Sequence, residues 1–126
     1  MKRVVIVLVG LPGAGKTTIA QSVRAAEVIE ADEEAIERAL QTRRTIVVDD
    51  DNLTREDRLR VLLRFPRREF YRVALFVDTP VEICAERKGL PVNEMMKITE
   101  NFDEPVNEEG FDFVFVRRGC KFHELV

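Results

Sequence analysis

The sequence lacks a long hydrophobic run, an internal repeat and a glycine- or serine-rich linker. No apolar run approaches the ~20 residues that span a bilayer, and residues 4–9 are too short for a signal-peptide core. The two cysteines, Cys84 and Cys120, have no metal-type spacing, and the lone His123 suggests no role. We therefore expect one domain over residues 1–126, soluble and cytoplasmic, with no membrane partner and with idle or buried thiols.

The net charge of −3 indicates that the molecule as a whole does not attract polyanions, but the charges are unevenly distributed along the chain. Residues 27–37 contain acids and no base, whereas residues 55–72 contain seven arginines against three acids. The basic stretch fits a patch that holds a phosphate chain. It fits better a solvated helix face with ion pairs such as Glu56–Arg60 and Asp57–Arg60.

The most informative stretch is residues 10–17, which match the phosphate-binding pattern G-x-x-x-x-G-K-[ST] and are called here the glycine-rich loop. The β-branched residues 4–9 before it predict a strand buried on both faces. Residues 18–26 after it predict a helix. A strand, a glycine-rich turn and a helix in this order predict a P-loop that binds a nucleoside triphosphate.

The chemistry of phosphate binding explains the residue types in this loop. Glycines let successive backbone N–H groups face an anion, Lys16 reaches the β- and γ-phosphates, and the Thr17 hydroxyl is a ligand for Mg²⁺. We expect ATP, or another nucleoside triphosphate, to contact Gly10, Leu11, Pro12, Gly13, Ala14, Gly15, Lys16, Thr17 and Thr18.

The remaining patterns alternate between strands and helices, which predicts an α/β fold. Specifically, we expect a P-loop kinase fold: a doubly wound, mostly parallel sheet of about five strands, flanking helices and a short lid. The predicted strands are residues 4–9, 27–30, 45–48, 70–78 and 111–116, and the predicted helices are residues 18–26, 33–40, 56–63, 80–88 and 91–101.

The strand predicted at residues 45–48 runs into three consecutive carboxylates. A buried strand that ends in an aspartate is the Walker-B pattern, in which the acid lies on the Mg²⁺ side of the nucleotide. We favour Asp50 for this role, with Asp49 in reserve. A turn in which one acid caps the next helix is the alternative.

Two further residues have positions that suit phosphoryl transfer. Asp32 follows the second strand across the expected cleft and is a candidate general base, or only the N-cap of its helix. Arg87 is a candidate for neutralising charge on the transferred group, or a surface ion-pair partner of Glu82 or Glu86.

Several stretches, taken together, resemble the kinase domain of 5′-hydroxyl polynucleotide kinases. They are the D-x-N-x-x-x-x-x-R pattern from Asp50 to Arg58, then residues 76–80, Arg87, and residues 90–96, 101–105 and 109–112. With the glycine-rich loop, the resemblance covers nearly the whole chain in the same order. Related kinases that act on seryl-tRNA and on small alcohols share these patterns.

The resemblance implies transfer of the ATP γ-phosphate to a 5′-hydroxyl of DNA or RNA. It implies that Asp32 is the general base, that Asp50 is the acid at the end of the third strand and that Arg87 is the first lid arginine. Contacts to the acceptor are implied for Asp50 and Asn52, with Arg38 and Lys88 in place of arginines that the family has elsewhere.

The chain departs from the family pattern on the acceptor side. Ala31 replaces a basic residue before Asp32, Ala35 replaces an arginine that grips the acceptor strand, and the lid is shortened after Arg87. Two alternatives therefore stay open. One is a small-molecule, nucleoside or tRNA-linked alcohol kinase of the same superfamily, and the other is a non-catalytic nucleotide-binding module.

Overall fold

The computed structural model describes residues 2–119 and 121–124. The chain forms six strands, five α-helices and one 3₁₀ turn, in the order β1 (Arg3–Val9), α1 (Lys16–Ser22), β2 (Ala26–Ile29), α2 (Glu33–Leu40), β3 (Thr45–Val48), α3 (Arg55–Leu62), β4 (Phe70–Val77), α4 (Val81–Lys88), α5 (Val92–Thr99), the 3₁₀ turn (Asn107–Glu109), β5 (Phe113–Arg118) and β6 (Lys121–Glu124). Among these residues, no helix combines the length and apolarity of a membrane span. Cys120 lies outside the described residues, and Cys84 is buried.

All six strands join one sheet in the order β2-β3-β1-β4-β5-β6. Every pairing is parallel except the last, in which β6 runs antiparallel to β5. The expected α/β architecture with a mostly parallel sheet is therefore confirmed, but with six strands rather than five.

Helices cover both faces of the sheet because side chains along β1 alternate between two cores. Val5, Val7 and Val9 face the core that includes α2 and α3. Ile6 and Leu8 face the opposite core, which includes α1, α4 and α5. The central strand thus has no solvated face, which explains why its sequence is continuously apolar.

The chain leaves β1 towards β2 on one side, and later leaves β4 towards β5 on the other side. Loops that diverge in this way open a crevice at the carboxyl ends of their strands. The glycine-rich loop follows β1, and residues 78–80 follow β4, so both meet at this edge of the sheet.

Two features differ clearly from the sequence-based expectation, whereas the bounds of the other expected elements lie within two residues of it. Helix α1 ends at Ser22 rather than at residue 26, because Ala26 already pairs with Thr45 in the sheet. Ala25 adopts a left-handed φ of 56° to make this turn. The expected short lid is not a separate element, since Arg87 and Lys88 lie in the last turn of α4 and only residues 89–91 separate α4 from α5. The helix-ending Gly89 was anticipated correctly and has φ 66°.

Candidate active site

The glycine-rich loop packs tightly under two neighbouring elements. A Cβ at Gly10 would lie 2.9 Å from the Val77 carbonyl oxygen, and one at Gly13 would lie 2.8 Å from the Cys84 carbonyl oxygen. Gly13 also has φ 82°, a conformation that side chains rarely adopt. These two glycines are required so that the loop can lie against β4 and α4.

Lys16 begins α1, and its side chain turns back over the loop with only 7 % exposed. Its ammonium donates to the carbonyl oxygens of Gly10 and Leu11, each at 2.8 Å. It also forms an ion pair with Asp51 Oδ1 at 2.8 Å. The lysine that sequence alone predicts to bind phosphate is therefore held at the loop by three oxygen atoms.

The three acids after β3 have different surroundings. The carboxylate of Asp50 accepts hydrogen bonds from the Ala31 N–H (3.2 Å) and the Asp51 N–H (2.9 Å), so it is turned towards the β2–α2 connection. The backbone N–H of Asp49 donates to the Ile29 carbonyl at 2.7 Å. Asp51, rather than the favoured Asp50 or the reserve Asp49, is the acid that pairs with Lys16.

An open cleft of about 870 Å³, called here the loop cleft, lies above these residues. Exposed Thr17 and Thr18 line one wall, and Asp49, Asp50 and Asp51 line another. Three charged residues that were not among the candidate site residues also line it: Glu30, Asp78 and Arg117. Arg117 sits on β5, where a strand pattern gave no sign of a site.

The last turn of α4 closes the cleft on the side where a lid was expected. Arg87 Nη1 donates to the Gly13 carbonyl at 3.1 Å, and both Arg87 and Lys88 line the cleft. The Thr79 hydroxyl donates to the Ala14 carbonyl at 2.7 Å, which holds the loop from the end of β4. Both basic residues thus reach the glycine-rich loop from a helix.

Cys84 lies on the inner face of this helix and is fully buried. Burial raises the pKa of its thiol, although the charges of Arg87 and Lys16 act in the opposite direction. A thiol with a raised pKa and no solvent contact is a poor nucleophile. Cys84 therefore has a packing role.

Asp32 caps α2, since its Oδ1 accepts a hydrogen bond from the Ala35 N–H at 2.9 Å. It lines neither the loop cleft nor the second cavity described below. Arg38 lies in the last turn of α2 and likewise lines neither cavity. The structure thus gives Asp32 the capping role that sequence left as its alternative and does not bring Arg38 to the cleft.

A second cavity of about 480 Å³, called here the side cavity, lies next to the loop cleft. Asp50 and Asp51 line both spaces, so the two meet at the carboxyl end of β3. Asn52, which the resemblance assigned to the acceptor, lines the side cavity and is only 4 % exposed. Its amide nitrogen donates to the carbonyl oxygens of Leu8 and Asp50, at 2.7 and 3.2 Å.

The last residue of the D-x-N-x-x-x-x-x-R pattern, Arg58, is completely buried. Its guanidinium makes a two-pronged ion pair with Glu109 at 2.7 and 2.8 Å and donates to the Asn52 carbonyl at 2.9 Å. The sequence indicated the stretches at residues 50–58 and 109–112 separately, but it did not predict that Arg58 and Glu109 contact each other. The pair fixes the backbone after β3 against the 3₁₀ turn.

The arginine-rich stretch at residues 55–72 is mostly engaged in the fold. Arg60 pairs with Asp57 at 3.5 Å, as the favoured interpretation expected, whereas the Glu56–Arg60 pair is not formed. Arg64 pairs with Glu33 and Glu37, Arg67 pairs with Asp112, and Arg72 donates to the carbonyl oxygens of Phe65, Gly110 and Leu62. Only two of the seven, Arg55 and Arg68, have no ion pair or buried contact among the described residues.

The chemistry of the cleft suits a hard divalent cation. The Thr17 hydroxyl and the nearby aspartates supply oxygen atoms, which Mg²⁺ prefers. Among the described residues, no three histidine, cysteine, aspartate or glutamate side chains converge into a complete protein cage. Mg²⁺ is commonly bound by one or two carboxylates together with the phosphates of a substrate.

Comparison with known proteins adds information about the fold alone. No protein-family model matches the chain, and no curated protein matches it. Among solved structures, the crystal structure of a protein named APE1195 is similar, with a TM-score of 0.58 and 18% sequence identity. The match covers 84% of this chain and 81% of that chain. At this identity the likeness supports the α/β architecture of the chain.

Proposed function

We propose that the chain is an ATP-dependent phosphotransferase with a P-loop kinase fold, and that it transfers a phosphoryl group to an alcohol. The observation that carries the proposal is the buried Lys16 ammonium, held by the glycine-rich loop and by Asp51 at the floor of an open cleft. The ammonium is already positioned beside the backbone N–H groups of the loop. Phosphoryl transfer requires mainly this kind of positioning and charge stabilisation from the protein.

Several residues of the cleft have a defined role in this proposal. The backbone N–H groups of the glycine-rich loop hold the phosphates, and Lys16 exchanges one of its oxygen partners for a phosphate oxygen. Arg87 neutralises charge on the transferred group. Thr17 and Asp51 would hold Mg²⁺, with Asp50 beside them, and the cation supplies further charge neutralisation when bound.

The sequence resemblance supports a 5′-hydroxyl of DNA or RNA as the acceptor. Arg58 and Glu109 belong to the two stretches that carry the resemblance most specifically, and they form a buried ion pair in the fold. They therefore support a shared architecture more strongly than a shared acceptor.

A small-molecule alcohol is the second candidate acceptor. It is favoured by the engagement of Arg60, Arg64 and Arg67 in ion pairs, which leaves few cations for a nucleic-acid backbone. For either acceptor, Asp50 at the junction of the two cavities is better placed as general base than Asp32, which caps α2.

The test is a transfer assay with γ-labelled ATP and Mg²⁺, using 5′-hydroxyl single-stranded DNA, the matching RNA, mononucleosides and small alcohols side by side. We expect Lys16→Ala to lower turnover by about three orders of magnitude or more, because a charge aimed at the transferred group is lost. Lys97→Ala, on the exposed face of α5, is the matched control.

The outcomes separate the candidates. Label on an oligonucleotide identifies a polynucleotide kinase, and label only on mononucleosides or small alcohols identifies the second candidate. Tight ATP binding without transfer to any acceptor would favour the non-catalytic nucleotide-binding module. Wild-type turnover in Lys16→Ala would refute the site.

A further inference from the structure

The side cavity is joined to the loop cleft through two shared residues. Asp50 and Asp51 line both, so a molecule in the side cavity lies next to whatever occupies the cleft. Its volume of about 480 Å³ lies within the range of small-molecule sites, roughly 300–1,000 Å³. This inference rests on the proposed phosphotransfer function and concerns the class of acceptor.

Asn52 is almost fully buried, but its side-chain oxygen atom is not sealed off from solvent. The residue is 4 % exposed, and both groups near its amide nitrogen are carbonyl oxygens, which fixes the nitrogen on that side. Its Oδ1 consequently faces the other way, and no residue within the described part of the chain donates to it. An acceptor atom at a cavity, with no donor from the protein, can take a hydrogen bond from a ligand in place of water.

The other polar side chains around the side cavity are also mainly acceptors. Glu33, Asp50, Asp51 and Asp57 contribute carboxylates, whereas Arg60 is the one side-chain cation among the described lining residues. Arg60 is already paired with Asp57 at 3.5 Å. A ligand that donates hydrogen bonds fits this lining, and a ligand that accepts them does not.

The cations near the point where the two cavities meet do not neutralise all of the carboxylates there. Lys16 pairs with Asp51, and Arg64 pairs with Glu33. The carboxylate of Asp50 accepts two backbone hydrogen bonds but forms no ion pair with a described residue. The cavity therefore stabilises a positive charge and opposes a phosphate or carboxylate on the incoming molecule.

We propose that the side cavity binds the acceptor and that this acceptor is a small hydroxyl compound with an ammonium group, such as an amino sugar or an amino alcohol. Its hydroxyl oxygen forms a bond to the γ-phosphorus of ATP, while the bond from that phosphorus to the bridging oxygen breaks and ADP leaves. The hydroxyl proton passes to the carboxylate of Asp50. The products are ADP, the phosphate ester and one proton, which balances the reaction.

Two sets of small hydroxyl compounds, with similar shape but different charge within each set, test whether the acceptor is cationic. One set is glucosamine, glucose and glucuronate, and the other is ethanolamine, ethylene glycol and glycolate. We expect kcat/KM for the cationic member to exceed that of the other two by about fivefold or more, the effect of one favourable charge interaction. Saturation-transfer NMR with the unmodified protein provides a measure of binding that does not depend on turnover.

Asp57→Asn and Glu56→Gln form a matched pair of variants. Both remove one negative charge from the first turn of α3, but only Asp57 lines the side cavity, and its loss frees Arg60. We expect Asp57→Asn to raise KM for the cationic probe and to weaken its NMR signal, with a smaller change in kcat. Glu56→Gln should leave both as in the wild type.

The outcomes distinguish this proposal from the wider one. Lys16-dependent label on a 5′-hydroxyl oligonucleotide, without preference for either cationic probe, would overturn the acceptor class and leave phosphotransfer intact. Absence of ATP binding and of all transfer would overturn both. Equal NMR binding of cationic, neutral and anionic members would also overturn the acceptor class, whatever the turnover.

Discussion

At the scale of single residues, the Lys16 ammonium has three oxygen partners within the protein. A phosphate must replace at least one of them. Asp51 is the partner that most readily exchanges, since it is 43% exposed while the two carbonyl groups belong to the buried base of the loop. In the proposed function, the Asp51 carboxylate released in this way would be free to act as a ligand for Mg²⁺.

Asp51→Asn tests this assignment. Loss of the carboxylate should raise the Mg²⁺ concentration for half-maximal activity by about ten- to a hundredfold, as changes around metal ligands commonly do. Asp49→Asn is the matched control, because it removes an equal charge from the same cleft without touching Lys16. Magnesium titrations of the initial rate would compare the two variants. A larger effect of Asp49→Asn would indicate that Asp49, rather than Asp51, is the ligand for Mg²⁺.

At the scale of secondary-structure elements, the buried Arg58–Glu109 pair joins α3 to the 3₁₀ turn before β5. Arg58→Met leaves the Glu109 carboxylate buried without a partner. We expect a loss of about 3–5 kcal/mol in the free energy of unfolding, measured in urea. Arg60→Ala, which breaks an exposed pair on the same helix, should cost less than about 1 kcal/mol.

The double variant Arg58→Met with Glu109→Met provides the control for this prediction. Replacing both charges should be less destabilising than the sum of the single changes, because no uncompensated charge remains. Normal stability with impaired transfer in Arg58→Met would contradict the structural role and indicate a direct role in the reaction.

The connection between β4 and β5 offers a prediction about pH. Burial alone would raise the pKa of Asp112, but hydrogen bonds from the Arg72 N–H and the Arg67 guanidinium lower it below its ordinary value of 3.8. A carboxylate with a lowered pKa stabilises the fold above the ordinary value, and this contribution is lost as the pH falls through the folded-state value.

Asp112→Asn should therefore be less stable than the wild type near neutral pH, with a difference that shrinks below about pH 4. Urea unfolding at a series of pH values would show the convergence. Glu104→Gln, at an exposed position nearby in sequence, should give a small difference that does not depend on pH in this way. A constant difference for Asp112→Asn would contradict the lowered pKa.

The sequence predicted most elements because their patterns are strong. The glycine stop at Gly89 and the caps at Asp32 and Thr54 mark helix ends that the structure confirms. Strand β6 was missed because its four residues are all exposed and lie at the edge of the sheet, so no burial pattern marks them. Helix α1 was predicted to be too long, because Ala25 and Ala26 are strong helix formers. In the fold, Ala26 instead begins β2 and pairs with Thr45 of β3.

The candidate site was predictable only in part. Local spacing identified Lys16 and Thr17, because the loop motif is contiguous. It could not choose among Asp49, Asp50 and Asp51, since the choice depends on how the chain leaves β3 and where Lys16 turns. The Arg58–Glu109 contact spans 51 positions and is visible only when the chain is folded.

At the scale of the whole molecule, the loop cleft is built from segments that follow β1, β3 and β4. A nucleotide held there would connect the segments after three strands with helices α1 and α4. Binding only to the folded state stabilises it by about 2.7 kcal/mol at a ligand concentration of 100 times Kd. For a domain of this size that corresponds to an increase in Tm on the order of 10 °C.

We therefore expect a non-hydrolysable ATP analogue with Mg²⁺ to raise the Tm of the wild type in a concentration-dependent manner, as measured by differential scanning calorimetry. The increase for each variant is measured from its own Tm without ligand, so a change in its basal stability does not affect the comparison. Lys97→Ala should show the full increase, and Lys16→Ala should show little or none. An equal increase in Lys16→Ala would place nucleotide binding outside the loop cleft, because the ammonium that the glycine-rich loop holds for the phosphates would be gone.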